Sequence, residues 1–376
     1  MDGQDFKTTR WLRPVSWLYG TGVWIRNKLF DWGWIRSESF DLPVICIGNL
    51  AVGGTGKTPH TEYLVRLLRN QRLNVATLSR GYRRKTKGYL LADDQSDAQA
   101  IGDEPRQMKT KFPDLRVAVD EDRRHGIREL MKLTRPQVDV VLLDDAFQHR
   151  RVRAGLNILL TDCHRLLTDD ALLPEGRLRE PAEGKGRAQV VVVTKCPDDI
   201  KPIDFNIITK KLGLQPWQRL FFTGLRYGQP RAVFPQSAGI TERPEAWGAE
   251  KQVLLITGIA QPAPLLEEVR TKAGHVDHLA FGDHHDFCRK DFRLIEERFD
   301  RLEGTRRLLL TTEKDAARLK NHPLMPERLK PYLYALPVEI KVLQNQQLTF
   351  NQTIIDYVRK NPRNRIVPPR EDAHPS

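Results

Sequence analysis

The densest chemistry in the chain lies in "VICIGNLAVGGTGKTPHTEYLVRLL", Val44 to Leu68, where an apolar run meets a glycine-rich turn, then Lys57-Thr58, then apolar residues at helical spacing. A strand, a flexible turn and a helix N-terminus in that order surround an anion with backbone N–H groups, which is how a P-loop holds a phosphate chain. Gly53, Gly54, Thr55, Gly56, Lys57 and Thr58 are the expected nucleotide contacts. Lys57 would reach the β- and γ-phosphates of ATP, and the Thr58 hydroxyl would ligate Mg²⁺. The first glycine of the general pattern falls where this chain has Ala51, and Gly53-Gly54 restore the freedom it would have supplied.

Further along, "VDVVLLDDAFQHRR" reads as a buried strand ending in carboxylates, the place where a P-loop enzyme sets its second Mg²⁺ contact. Asp144 or Asp145 would supply it, with Gln148 close enough to orient the metal or its water; the plain alternative is two solvated acids at a strand end. Transfer to water needs little more, whereas transfer to a hydroxyl needs a base and a cleft. Polar clusters at predicted loop positions could supply both: "SRGYRR", "GDEPRQM", "DRRHG", "LPEGRLREP" and "FGDHHDF". From residue types alone these stay open, since Asp103 and Glu104 in a first helical turn also complement the helix dipole. Neighbouring His284 and His285 suit an exposed loop, and they lack the spacing of a zinc pair. "VVVTKCP" ends a strand where Thr194 and Lys195 would line an adenine pocket, and "TTEKDAARL" reads as helix capping by Thr312 with Asp315.

The elements that must position these groups follow from periodicity. From residue 43 onward, "PVICIGNL", "NVATLSRG", "LRVAVD", "VDVVLLDD", "LNILLTD" and "AQVVVVT" are apolar throughout and alternate with helical patterns. Strands of that kind are covered on both faces, so the expected fold is α/β: a mostly parallel P-loop NTPase-type sheet flanked by helices. "QVLLITGIA", "HVDHLAF", "RRLLLTT" and "YLYALPVEI" predict a second, smaller α/β domain. The expected division is 1–40 as an N-terminal membrane-associating segment, 41–227 as the P-loop core, 228–250 as a connector, 251–345 as the smaller domain, and 346–376 ending in a disordered basic tail.

The 376 residues carry 61 Lys+Arg against 48 Asp+Glu, a net charge of +13 that suits an anionic partner. The basic residues are spread over several loops, and aromatics do not alternate with them, which argues against nucleic acid. Four scattered cysteines form no CxxC pair, so the expectation is a reducing compartment without zinc or disulfides. No apolar run approaches the ~20 residues of a spanning helix, and the N-terminus lacks a signal-peptide pattern. Five of the seven tryptophans fall in "WLRPVSWLYGTGVWIRNKLFDWGW" among Arg13, Arg26 and Lys28, which reads as a segment lying on an anionic membrane surface. The alternative is a helix capping the core, and Gly20 and Gly22 argue against one continuous helix.

"GNLAVGGTGKTP", "SRGYRR", "GDEP", "DDAFQHR", "LPEGRLREP", "TKCP", "FGDHHDF" and "TTEKDAARL", in this order, resemble the tetraacyldisaccharide 4′-kinase family of lipid A biosynthesis over residues 10 to 345. Ala51 agrees with that family, whose loop also lacks the early glycine; Glu175 and Arg177 depart from the "LPAGPLREP" of many members. The resemblance implies transfer of the ATP γ-phosphate to the 4′-hydroxyl of an acylated disaccharide 1-phosphate glycolipid, giving lipid IVA at the cytoplasmic face of the bacterial inner membrane. It implies a peripheral attachment through the Trp11–Trp34 segment and no obligatory protein partner. It implies Lys57 and Thr58 at the phosphates, Asp144, Asp145 and Gln148 at Mg²⁺, and Asp103 with His284 as a base dyad. If those two come from different domains, the base is complete only when the domains meet. Arg80, Arg83, Arg84, Arg123, Arg124, Arg150, Arg151 and Arg179 could then hold the substrate's 1-phosphate or the transferring group, with Arg80, Arg83, Arg123 and Arg179 the expected contacts. A rival reading is a P-loop ATPase switch at the membrane surface, which would need no base for a sugar hydroxyl.

Overall fold

A computed structural model of the chain describes residues 10–237, 248, 250–283, 285–304, 306–320 and 322–361. It opens with α1 (Arg13–Asp31), whose Pro14 occupies the first turn, where its missing N–H costs nothing. Gly20 and Gly22 lie inside this one helix, contrary to the expectation that they would interrupt it. A Cβ at Gly20 would stand 2.6 Å from Leu172 Cδ1, so the glycine serves a close approach to the loop beneath. Ser16, Gly20 and Phe30 mark the buried edge of the helix. Trp11, Trp17, Trp24, Trp32 and Trp34 are each more than half exposed.

Then follow β1 (Val44–Asn49), α2 (Lys57–Asn70), β2 (Val75–Ser79), β3 (Leu90–Leu91), α3 (Ala98–Ile101), α4 (Asp103–Lys111), β4 (Arg116–Val119) and α5 (Arg123–Met131). After them come β5 (Val140–Asp144), β6 (Leu156–Asp162), β7 (Val190–Thr194), α6 (Pro202–Leu212) and β8 (Arg219–Tyr227). Every residue of β1, β5 and β7 is buried, as strands covered on both faces require. β1 lies between β5 and β6, parallel to both, so the order of the sheet reverses beside it. Ligands of open α/β sheets sit outside the carboxyl ends of strands at such a point, and the 53–58 turn is there.

The second unit comprises β9 (Arg231–Ala232), β10 (Gln252–Thr257), α7 (Ala263–Arg270), β11 (His275–Ala280), α8 (Arg289–Asp300), β12 (Arg307–Thr312), α9 (Glu313–Lys320) and β13 (Leu333–Leu336). Its sheet runs β11-β10-β12-β13-β9, with only β9 antiparallel among the described strands.

The run "YLYALPVEI" proves to be two strands. Pro337 has no N–H with which to continue a ladder, and the chain changes sheets there. β14 (Val338–Val342) returns to pair antiparallel with β8, completing the order β14-β8-β7-β6-β1-β5-β2-β4-β3. α10 (Gln347–Lys360) then inserts Phe350, Ile354 and Val358 into the same core as Ile45, Ile47 and Leu64. The expected boundary at 345 is therefore corrected: the chain rejoins the first unit at 338, and the expected connector contributes β9 to the second sheet. Residues 362–376, the basic tail, lie outside the described residues. No helix among the described residues is long and apolar enough to cross a membrane.

Candidate active site

The turn between β1 and α2 is built to hold its backbone open. Gly53 has φ +112° and Gly56, which caps α2, has φ +81°, both in the region glycine alone enters cheaply. The cap contributes no side-chain acceptor to the first N–H groups of α2. Its rear is braced instead. Buried His60 is 2.7 Å from the Gly56 carbonyl through Nδ1 and 3.0 Å from Thr223 Oγ1 through Nε2. A carbonyl only accepts, so Nδ1 carries the proton, and burial lowers the imidazole to about 4, keeping it neutral. Asn49 Nδ2 donates to Thr55 Oγ1 at 2.7 Å, and Thr194 Oγ1 donates to the Thr55 carbonyl at 2.9 Å.

Thr194 is wholly buried, so it supports the turn and does not line an adenine pocket as expected. Lys195 is also committed, to Asp162 Oδ2 at 2.8 Å and Gln261 Oε1 at 2.6 Å. The cleft beside the turn is lined by Gly53, Gly54, Thr55, Thr161, Asp162 and His164, among others.

On the other side of Lys57, two adjacent carboxylates differ sharply. Asp144 ends β5, is buried, and accepts from Thr61 Oγ1 at 3.1 Å. Burial, then Glu104 and Asp145, push its carboxyl up to about 7. Asp145 sits at φ +47° with Arg179 Nη2 2.8 Å and Lys57 Nζ 3.7 Å from Oδ1. Burial opposes its charge, but Lys57, Arg179 and Arg123 together hold it below the ordinary carboxylate value.

Gln148 donates through Nε2 to the Asn49 carbonyl at 2.7 Å, while its buried Oε1 has no hydrogen-bond partner among the described residues. Among those residues no three His, Cys, Asp or Glu side chains form a metal-binding group. A cation here would rest on carboxylate, hydroxyl and amide oxygens. Asp144, Asp145, Thr58 and the spare Gln148 oxygen are of the type that suits Mg²⁺.

The arginines divide. Arg179 and buried Arg123 converge electrostatically on Asp145, and Arg123 Nε is buried with no partner among the described residues. Arg80 is exposed, yet near enough for its charge to act on Arg123. Arg83 points its guanidinium over Tyr82, 5.6 Å from the ring centre, on an exposed turn. Arg84, Arg124 and Arg150 are engaged in ion pairs with Glu121, Asp122 and Asp31.

Asp103 is the first residue of α4, after Gly102 at φ +93°. Its Oδ2 accepts from Arg318 Nη2 on α9, across the two units. His284 lies outside the described residues. His285 Nε2 is 2.9 Å from Asp291 Oδ2, and its ring stacks on Phe281, so this histidine is engaged at the start of α8. Thr312 and Asp315 form the expected cap, with Asp315 N donating to Thr312 Oγ1 at 3.0 Å.

Several contributors gave no signal in the sequence. Asn49 is a single polar residue in an apolar run and Thr61 one of several polar residues in "KTPHTE", and no spacing marks either. α1 also reaches the site loops through exposed side chains: Tyr19 OH donates to the Arg179 carbonyl at 2.8 Å, and Arg26 Nη2 to the Gln148 carbonyl at 2.9 Å.

A family model, tetraacyldisaccharide-1-P 4′-kinase, matches residues 8–358. The chain belongs to the tetraacyldisaccharide 4′-kinase family. Tetraacyldisaccharide 4′-kinases of Bacteroides fragilis and Bacteroides thetaiotaomicron are 59% and 58% identical to it, each aligned over the whole of both chains. That of Porphyromonas gingivalis is 44% identical, covering 94% of this chain and 98% of its own. Among solved structures, "apo"-form LpxK of Aquifex aeolicus in complex with ATP matches at a TM-score of 0.69 and 28% identity. That match covers 92% of this chain and 98% of the other.

Proposed function

We infer that this chain is an ATP-dependent tetraacyldisaccharide 4′-kinase of lipid A biosynthesis, transferring the γ-phosphoryl group to the 4′-hydroxyl of an acylated disaccharide 1-phosphate to give lipid IVA. The observation that carries the reading is convergence. The Lys57 turn and the Asp144–Asp145 pair meet beyond the carboxyl ends of the adjacent parallel strands β1 and β5, and Glu104, next to Asp103, is near enough for its charge to act on Asp144, in a chain matched to this family over residues 8–358.

The turn at Gly53–Thr58 holds the phosphates through backbone N–H groups, and Lys57 bridges β and γ. Thr58, Asp144, Asp145 and Gln148 would hold Mg²⁺, which when bound offsets phosphate charge. A sugar hydroxyl is a poor nucleophile at neutral pH. Asp103, in concert with His284, accepts its proton as the bond to phosphorus forms. Arg123 and Arg179 face the charge that develops there, with Arg80 at the rim. The Arg83 turn is open to solvent, where it meets a substrate headgroup.

The exposed indoles of Trp11, Trp17, Trp24, Trp32 and Trp34, with Arg13 over Trp17 and Lys28 over Trp24, suit the headgroup layer of an anionic bilayer. On this reading the enzyme works peripherally at the cytoplasmic face of the inner membrane, beside its lipid substrate. The test supplies γ-labelled ATP and Mg²⁺ with detergent-dispersed tetraacyldisaccharide 1-phosphate, with no acceptor, or with single-stranded RNA. Label in the glycolipid supports the reading. Label released only as inorganic phosphate, whatever the acceptor, supports an ATPase switch, and RNA-stimulated release a nucleic-acid-dependent one.

A further inference from the structure

We propose that Arg318 is a positioning residue for the phosphoryl-transfer base, fixing the Asp103 carboxylate through a relay that runs Asp315–Arg318–Asp103 from the second unit into the first. The proposal rests on the reading of Asp103 as the base.

Asp315 is the anchor. It is wholly buried, and its Oδ2 accepts from Gly258 N at 2.8 Å and Thr312 Oγ1 at 2.7 Å. Its Oδ1 accepts from Arg318 Nη1 at 3.4 Å, and the other arm of the same guanidinium, Nη2, reaches Asp103 Oδ2. A planar fork held at one end by a fixed carboxylate can present its second arm in only a narrow range of directions. Gly258 permits the anchor, since a Cβ there would lie 2.8 Å from Asp315 Oδ1. The relay gives "TTEKDAARL" a purpose beyond capping a helix.

The opposite end of the same helix pair is clasped too. Lys111, at the end of α4, lies 2.6 Å from both Glu62 of α2 and Glu313 of α9. α4 and α9 therefore run antiparallel with an ionic contact at each end, and α2, which begins at Lys57, is joined to them. The Lys111 pairs hold the far ends of the helices together, at the other end of α4 from Asp103, whereas the direction of the Asp103 carboxylate is set by Arg318. The two units are thus joined at Asp103 through Arg318.

A relay of this kind predicts a split in kinetic constants. Arg318→Met should lower kcat by about 10²-fold, the cost of a carboxylate misplaced by about 1 Å, while KM for ATP and glycolipid stays within about threefold of wild type. Arg318→Lys, which keeps the charge and loses the fork, should recover part of the loss and guards against misfolding of the Met variant. In an Asp103→Asn background Arg318→Met should cost less than about threefold more, because both act through one group. Lys111→Met, which loosens the far end of the clasp, should lower the melting temperature and leave kcat within about threefold. Losses for Arg318→Met and Asp103→Asn that multiply, or a kcat loss for Lys111→Met equal to that for Arg318→Met, would overturn the relay while leaving the base in place. Full activity of Asp103→Asn would overturn the base reading and the relay with it.

Discussion

Lys57 Nζ lies 3.7 Å from Asp145 Oδ1, so the cation assigned to the phosphates rests on the carboxylate that follows β5, which Arg179 also grips. Asp145 is therefore already compensated by protein cations. Asp144 has the Thr61 hydroxyl and only the more distant charge of Lys57, and Gln148, on the loop that follows, keeps a buried oxygen without a partner among the described residues. The chemistry of this corner fits a divalent cation resting chiefly on Asp144.

Glycolipid phosphorylation should stop on chelation with EDTA and return with added Mg²⁺. Gln148→Leu, which removes the spare oxygen and the bond to Asn49, should raise the Mg²⁺ concentration for half-maximal rate by about 10- to 100-fold. A Mg²⁺ titration of initial rate reads this out, and superimposable curves for wild type and variant would count against the assignment.

The indoles of α1 are exposed, so they can be replaced without loosening the fold. Trp17→Gln combined with Trp24→Gln should weaken sedimentation with vesicles of phosphatidylethanolamine and phosphatidylglycerol by about tenfold, equivalent to about 1.4 kcal/mol. The melting temperature should be unchanged. Undiminished vesicle binding would contradict the membrane reading.

Phe350 is 1% exposed and packs with Phe221 and Tyr63 in the core of the nucleotide-binding unit. Phe350→Ala should destabilise that unit by about 3–5 kcal/mol. Chemical denaturation followed by tryptophan fluorescence measures it. A loss under about 1 kcal/mol would mean that α10 is not part of this core.

Of the four cysteines only Cys288 is exposed, while Cys46, Cys163 and Cys196 are buried. Burial, with Asp145 adding to it, pushes the Cys46 thiol up to about 12, so at pH 8 it stays protonated and inert. A colorimetric thiol reagent at pH 8 should titrate one fast thiol in the native protein and none in Cys288→Ser. A second fast thiol would show that one of Cys46, Cys163 and Cys196 becomes accessible.

The sequence was most legible where local pattern and chemistry coincide. Val44–Asn49 followed by the glycine turn admits few other readings, and continuously apolar strands such as Val190–Thr194 declare a sheet covered on both faces. β8 went unseen because "RLFFTGLRY" mixes charges and a glycine into an edge-side strand. The return of the chain at Pro337 was hidden because an apolar run does not say which of two sheets it joins. Gly20 misled because propensity cannot register that Leu172 packs against it. In the site, Lys57 and the Asp144–Asp145 pair carry their own signal. Arg179 and Arg318 act through partners 34 and 215 residues distant in sequence, a relation only the folded chain displays.

On the proposed reading, the turn before Lys57 grips the tail of ATP so that its terminal group passes to an acylated sugar. The most direct measurement is the initial rate of label transfer from γ-labelled ATP to detergent-dispersed tetraacyldisaccharide 1-phosphate, compared between wild type and Lys57→Ala. Labelled glycolipid is expected from the wild type and a rate at least about 10²-fold lower from the variant, with its melting temperature retained. Equal rates, or a wild type that releases only inorganic phosphate with the glycolipid present, would contradict it.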